Sequence, residues 1–326
     1  MRRRDFITLL GGAAAAWPLA VRAQQPTLPL VGCLRGTGRV ASAPFDAAFR
    51  QGLASVGFEE RHNVTIEYRY AEGQYSRQAS EIDDLLCRQV AVIYVSDIPA
   101  ALAAKAATTT VPIVFRIGGD PIQLGLVTSM SRPGGNLTGV SFLTTATGAI
   151  RLQMLHEAVP NAAVMGLLVN PTNPQAAPDT REAQEAARKL GLELHVLGAS
   201  SAQEIDAAFA TLVQRRVQAL VIDGDALFAT RSAQLGVLTV RHALPSIYSA
   251  RALPDAGGLM SYGTTSVDAD RLSGVYVGRI LKGEKPATLP VQQSVKVELI
   301  INLIAAKALG ITIPITLLGR ADEVIE

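Results

Sequence analysis

The chain has 326 residues, 48% of them hydrophobic and 18% charged, with a formal net charge of +2. That is enough apolar material for two domains with buried cores, and the balance of charge gives no clustered basic face for nucleic acid. Two cysteines and four histidines supply neither a disulfide framework nor metal-ligand spacing.

The chain opens with an export signal. Arg2, Arg3 and Arg4 precede an apolar stretch from Phe6 to Ala20, and Val21-Arg22-Ala23 supplies a small-residue cleavage site. Arg3-Arg4-Asp5-Phe6-Ile7 fits a twin-arginine address, with the general secretory route as the alternative. The apolar run is broken by Pro18 and falls short of the roughly 20 residues needed to span a bilayer. No cysteine sits at the cleavage site for a lipid anchor. Cleavage after Ala23 removes four arginines and one aspartate, leaving 26 basic against 27 acidic residues, so the basic excess belongs to the signal. The mature protein is expected to be a freely diffusing monomer outside the cytoplasm.

From Leu28 onward, short β-branched runs alternate with helical patterns, which predicts an α/β fold of parallel sheets covered on both faces. Strands are expected from Leu30 to Leu34, Val64 to Tyr70, Val90 to Val95, Ile113 to Phe115 and Thr138 to Leu143. A second series runs from Val164 to Val169, Leu192 to Leu197, Ala219 to Ile222, Ser246 to Tyr248 and Gly258 to Ser261. Between them, apolar residues recur at helical spacing, as at Phe45, Ala48, Phe49, Leu53 and Val56, or Ile205, Ala208, Phe209 and Leu212. A helix is expected from Val267 to Leu281, and a last one carrying Leu299, Ile300, Leu303 and Ile304, ended by Gly310. Cys33 on the first strand and Cys87 on a helix read as unpaired small apolar residues.

The Gly/Pro-rich stretch Ser131-Arg132-Pro133-Gly134-Gly135-Asn136 interrupts the alternation. Two lobes follow: residues 28–143 plus 263–288, and residues 144–262 plus 289–326, with residues 1–23 as signal. The chain would cross between them near Thr144, Tyr262 and Pro290, and such multiple crossings make a hinge.

The common catalytic signatures are absent: G-x-S-x-G, H-E-x-x-H, G-x-x-x-x-G-K-[ST] and C-x-x-C do not occur. Gly32 to Gly38 follows the first strand but lacks dinucleotide-loop spacing. No cofactor and no metal are expected.

Polar residues instead gather where strands end, the edge at which open α/β sheets bind ligands through loops and helix N-termini. In the first lobe these are Arg35, Ser42, Ser96, Asp97, Ile98, Pro99, Gly119, Asp120 and Pro121. In the second they are Asn170, Asn173, Asp223, Asp225, Tyr248 and Tyr262. Ser96 or Asp97 either caps the helix that begins near Pro99 or meets a ligand carboxylate. Asp225 either sits in a solvated loop or pairs with a ligand ammonium. Tyr248 and Tyr262 read equally as interlobe packing or as an aromatic wall.

Several segments together carry a resemblance over nearly the whole chain: the signal, Asn63-Val64-Thr65-Ile66-Glu67-Tyr68-Arg69, Gly118-Gly119-Asp120-Pro121, Arg132-Pro133-Gly134-Gly135-Asn136-Leu137-Thr138-Gly139-Val140, Leu168-Val169-Asn170-Pro171 and Gly258-Leu259-Met260-Ser261-Tyr262-Gly263. In order and spacing they resemble periplasmic substrate-binding proteins of ABC transporters, in the group related to tryptophan and other aromatic amino-acid binders. The resemblance implies a type I periplasmic-binding-protein fold without catalysis, a small-molecule ligand held between lobes, and permease subunits as membrane partners. The chain departs from the family pattern at Asp97-Ile98-Pro99 and at Arg116, which add charge beside the cleft. Those departures weigh against an aromatic amino acid and leave another amino acid, an organic acid or an amide open. An exported enzyme with Asp225 or Asp120 as acid or base, and a sensory binding module, are the rival readings on the same scaffold.

Overall fold

The computed structural model describes residues 28–142, 145–264, 266–294 and 296–326. The expected signal, its cleavage site and the first crossing at Thr144 lie outside the described residues.

Strand β1 (Leu30–Arg35) alternates its side chains between two apolar layers, as a strand buried on both faces must. Val31 and Cys33 join Phe49, Leu53 and Val277 on one side, while Leu34 joins Ile82, Leu85 and Ile98 on the other. Apart from Val277, these partners come from α1 (Arg39–Ser55), α2 (Gln78–Cys87) and α3 (Ile98–Ala107). With β2 (Thr65–Tyr70), β3 (Val92–Val95), β4 (Ile113–Ile117) and β5 (Leu137–Phe142) they form the first lobe.

Helix α4 (Thr145–Ala158) opens the second lobe, followed by β6 (Val164–Val169), α5 (Ala176–Leu190), β7 (Glu193–Gly198), α6 (Ala202–Gln214) and β8 (Ala219–Ile222). Then come α7 (Ala226–Thr230), α8 (Ser232–Arg241), β9 (Ser246–Tyr248), α9 (Ala252–Asp255) and β10 (Met260–Thr264). Met165, Leu167 and Val169 of β6 bury against Leu152 and Leu155 of α4 and Ala183 and Ala187 of α5. Leu168 faces the opposite cluster with Phe209, Leu212 and Phe228. Each such side chain contributes about 1.5–3 kcal/mol when fully buried.

Helix α10 (Ser266–Leu281) returns to pack on α1 in the first lobe. The final elements are β11 (Gln292–Ser294), β12 (Val297–Asn302), α11 (Leu303–Ala308), α12 (Ile315–Leu318) and β13 (Glu323–Ile325). Among the described residues the first sheet has the order β11-β5-β4-β3-β1-β2, with every pairing parallel. The second has the order β13-β12-β10-β9-β8-β6-β7, parallel except between β10 and β12. No helix among the described residues is long and apolar enough to cross a membrane.

Three expectations need correction. Leu299 and Ile300 lie on β12, where they pair with β10, so the last helix begins only at Leu303, and Ile304 is largely exposed. β11 pairs with β5 of the first sheet, so the third handover falls between Ser294 and Val297, beyond the expected crossing at Pro290 and the expected lobe boundary after residue 288. Cys87, at the last position of α2, is exposed, whereas Cys33 is buried; both are free.

Helices α1 and α10 approach so closely that glycine is required at the crossing. A Cβ on Gly52 would lie 1.8 Å from the Arg271 carbonyl oxygen, and one on Gly274 would lie 2.1 Å from the Phe49 carbonyl oxygen. Neither backbone can yield without separating the helices. Gly52→Ala should therefore lower unfolding free energy by about 1–3 kcal/mol through overpacking. Gly135→Ala, with open space around its Cβ position, should leave the thermal midpoint nearly unchanged, and differential scanning calorimetry on the two variants checks both.

Candidate functional site

The carboxyl ends of the two sheets face one another across a cleft of about 190 Å³. Its walls come from the segments after β1, β2, β3 and β4 on one side and from the turns after β8 and β9 and the end of β10 on the other, joined by the loop leading from β6 into α5. In each sheet strand order reverses here, between β1 and β3 and between β6 and β8, so the flanking turns splay apart and leave a crevice. The lobes touch along one rim: the Gly38 amide donates to Thr230 Oγ1 at 3.1 Å, and the Tyr75 hydroxyl donates to Asp225 Oδ2 at 2.5 Å.

Of the residues singled out in the sequence, Ser96, Asp97, Ile98, Pro99, Asn173, Asp223, Asp225 and Tyr248 line this cleft. Asp97 is the N-cap of α3 and accepts from the Ala100 amide at 2.8 Å and from Gln78 Nε2 at 3.0 Å. Burial outweighs those hydrogen bonds and pushes its carboxyl up to about 6. Ser96 Oγ accepts from the Gly36 amide at 3.2 Å.

Asp225 lines the cleft but has no acceptor capacity left for an ammonium. Its Oδ1 accepts from the Leu227 amide at 2.8 Å and from Asn170 Nδ2 at 3.0 Å, and its Oδ2 from Asn173 Nδ2 at 2.9 Å and the Tyr75 hydroxyl. Four donors fill the lone-pair sites of one carboxylate. Asp225 thus caps α7 and ties the β6–α5 loop to the rim. Tyr248, buried, donates to the Asp225 carbonyl at 3.1 Å.

The remaining candidates lie outside the cleft lining. Asn170 is buried beneath Asp225 and also accepts from Thr172. Asp120 accepts from the Ile122 amide at 2.8 Å as a turn residue, and Gly119 and Pro121 belong to the same turn; only Gly118 of that motif reaches the cavity. Ser42 is buried against Thr37 Oγ1 at 2.6 Å. Tyr262 packs into the second-lobe core. Arg35 is buried behind the first-lobe wall, paired with Asp46 at 2.8 Å and with Asp270.

The structure adds lining residues from positions that carry no strand-end signal. In the second lobe, Arg151 Nη2 donates to Asp223 Oδ1 at 3.4 Å, and Gln175 Nε2 donates to Asp179 Oδ1 at 3.0 Å. Asp179 and Asp223 are close enough that each carboxyl feels the other's charge. Burial, followed by the facing Asp179 carboxylate, pushes Asp223 up to about 7, with Arg151 opposing. Burial raises Asp179 as well. In the first lobe, Arg116 lies 5.9 Å from the Phe45 ring centre and 5.6 Å from that of Phe142, and all three line the cleft. Arg151 had a usable signal: at helical spacing it shares a face with Leu155 and Ala158, both buried. Asp179 had none, because an acidic residue in the first turn of a helix is ordinarily a dipole partner.

An acid pair with an arginine beside it in one lobe, with two phenyl rings and a guanidinium lining the cleft from the other, can hold a zwitterion by its head and a planar group by its tail. Among the described residues no group of histidine, cysteine, aspartate and glutamate is arranged to hold a metal ion.

Two parallel-sheet lobes joined by three crossings, with a polar cleft at the facing strand ends, define a type I periplasmic binding protein. Residues 45–325 match the ABC transporter substrate binding protein family, and the chain belongs to it. It is similar to a tyrosine-binding protein of Clostridioides difficile (strain R20291), 25% identical over 264 residues that span 80% of this chain and 75% of that protein. Among solved structures it resembles an ABC domain of Streptococcus pneumoniae in complex with L-Trp, at 27% identity and a TM-score of 0.82, covering 92% of this chain and 100% of that one. It also resembles a conserved domain protein from Vibrio cholerae, at 26% identity and a TM-score of 0.84, covering 91% and 100% of the two chains.

The raised Asp223 carboxyl gives a test on ligand-free protein. A carboxyl raised from about 3.9 unfolded to about 7 folded is protonated in the native state across that window, so stability falls as pH rises through it and levels off above. Each proton contributes a slope of about 1.4 kcal/mol per pH unit. The thermal midpoint should therefore be higher at pH 5.5 than at pH 8, and Asp223→Asn should flatten that difference in a thermal-shift series.

Proposed function

We propose that this protein is the extracytoplasmic solute-binding component of an ABC uptake transporter and that its ligand is an aromatic amino acid. The observation that carries the reading is the division of the cleft. Asp223, Asp179 and Arg151 stand at one end, where a carboxylate takes a ligand ammonium and the guanidinium takes its carboxylate. Phe45, Arg116 and Phe142 line the cleft from the other lobe.

Arg116 weighed against an aromatic ligand in the sequence because it put charge in the pocket. Its Nε lies 3.2 Å from Asp270 Oδ2 and its Nη2 donates to the Ser96 carbonyl at 3.1 Å, so the charge is answered from behind. Its guanidinium already lies over the Phe45 and Phe142 rings in the cleft lining, and such a planar cation stacks on aromatic rings. The tyrosine-binding relative and the L-Trp complex support the same class.

The mechanism is capture without chemistry. In the open form the two walls are apart; the ligand bridges them, and its contacts with both favour closure over opening. Closure excludes water and strengthens the head-group contacts, and the closed form then docks on a membrane permease and releases the ligand unchanged. The arginine-rich leader delivers the mature chain to the periplasm as a monomer.

Thermal shift and titration calorimetry on mature protein stripped of bound solute should find a rise in midpoint with at least one of L-tryptophan, L-tyrosine and L-phenylalanine, by mass action. Asp223→Asn should weaken that binding about 10- to 100-fold, the loss of one charge-assisted contact. Mass spectrometry should recover the bound compound intact. Silence toward all three amino acids, with a response to a dicarboxylate or a sugar, would replace the ligand class.

A further inference from the structure

Arg116 is the end of a buried charge cluster that reaches the cleft lining, its side chain 12% exposed. Asp270, on α10 just after the second crossing, has a fully buried carboxylate that meets Arg35, the Tyr94 hydroxyl at 2.5 Å and Arg116 Nε at 3.2 Å. Arg35 in turn donates through Nε to Asp46 at 2.8 Å and lies 4.9 Å from the Tyr94 ring centre. Two guanidinium groups are thus balanced by two carboxylates, and of the four only Arg116 lines the cleft.

Buried charges must be compensated, because desolvation of an unpaired one is prohibitive. If Asp270 did not answer Arg116, the cation would be left to Asp97, which shares the cleft lining and feels its charge, and to any anion the ligand's own side chain brought in. We infer that Asp270, outside the cleft lining, determines specificity: it makes the wall carrying Arg116 electrically neutral, so the pocket accepts an uncharged planar side chain and rejects an anionic one. This inference rests on the amino-acid reading above and adds to it the charge that the side chain must have.

The physical basis is a difference of affinities. An anionic side chain brought to Arg116 must compete with Asp270 for the same guanidinium and is repelled by it, while giving up its own hydration. A neutral ring gives up little and keeps the stacking face.

Titration calorimetry on the mature protein with L-phenylalanine, 4-carboxy-L-phenylalanine and L-glutamate reads this out directly. The unmodified protein should bind L-phenylalanine at least 10-fold more tightly than its 4-carboxy analogue. Asp270→Asn should shift the ratio of those two affinities at least 10-fold toward the carboxylated compound. Adding Arg116→Met to Asp270→Asn, which removes the orphaned cation, should restore the original preference, a rescue that a role in folding alone would not produce. Should Asp270→Asn not fold, the comparison of the two compounds on the unmodified protein still decides, since equal or tighter binding of the carboxylated analogue overturns the inference while leaving amino-acid capture in place. Failure of all three compounds, and of the other aromatic amino acids, to bind overturns the amino-acid reading itself and this inference with it.

Discussion

Two sheets present their carboxyl-terminal edges to each other, and closing them removes water from a space bordered by six carboxyl and guanidinium side chains. Every charge there has to find an opposite charge, a hydrogen-bond donor or a proton, because an uncompensated one is far costlier in a dry cleft than in solvent. The arrangement of the site follows from that demand. Asp225 is satisfied by four donors, Arg116 by Asp270, and Asp223 by Arg151 together with a proton that burial and Asp179 favour on its carboxyl. The three solutions differ in what they leave for a solute: Asp225 offers nothing, Arg116 offers a face, and the Asp179–Asp223 pair offers a proton to exchange.

The same constraint links the site to the hinge. Asp270 stands at the start of α10, immediately beyond the second crossing, and α10 is locked onto α1 by the glycine contact at Gly52 and Gly274. The first-lobe wall is therefore held by the helix through which the chain re-enters that lobe. On the other side, Arg151 lies on α4, the helix that follows the first crossing. Each wall is braced by the element nearest a crossing, so a rotation about the crossings carries each wall as a rigid piece.

Much of the fold was legible because a strand buried on both faces leaves a continuous apolar run, and β1, β6, β8 and β9 fall where those runs occur. The misreading of Leu299 and Ile300 has the same origin. A doubly buried strand running directly into a helix, as β12 runs into α11, shows no change of period at the junction. The short β11 was unreadable for another reason: Gln292-Gln293-Ser294 has no strand-like composition, and only its parallel pairing with β5 makes it a strand. At the site, position at a strand end picked out Asp97, Asp223 and Asp225, all of which line the cleft, yet gave the capping residue Asp225 and the cleft residue Asp223 the same weight.

By itself, the sequence determined the parallel α/β architecture, its division into two lobes and the edge of each sheet where polar residues gather, since all three depend on local periodicity and on turns. Which of those residues face the cleft with capacity to spare, and which are consumed by capping or by one another, was decided by the tertiary structure alone. Arg116 and Asp270 stand far apart in the chain, as do Arg151, Asp179 and Asp223, and the interaction of buried charges depends on distance in space, about which separation along the chain says nothing.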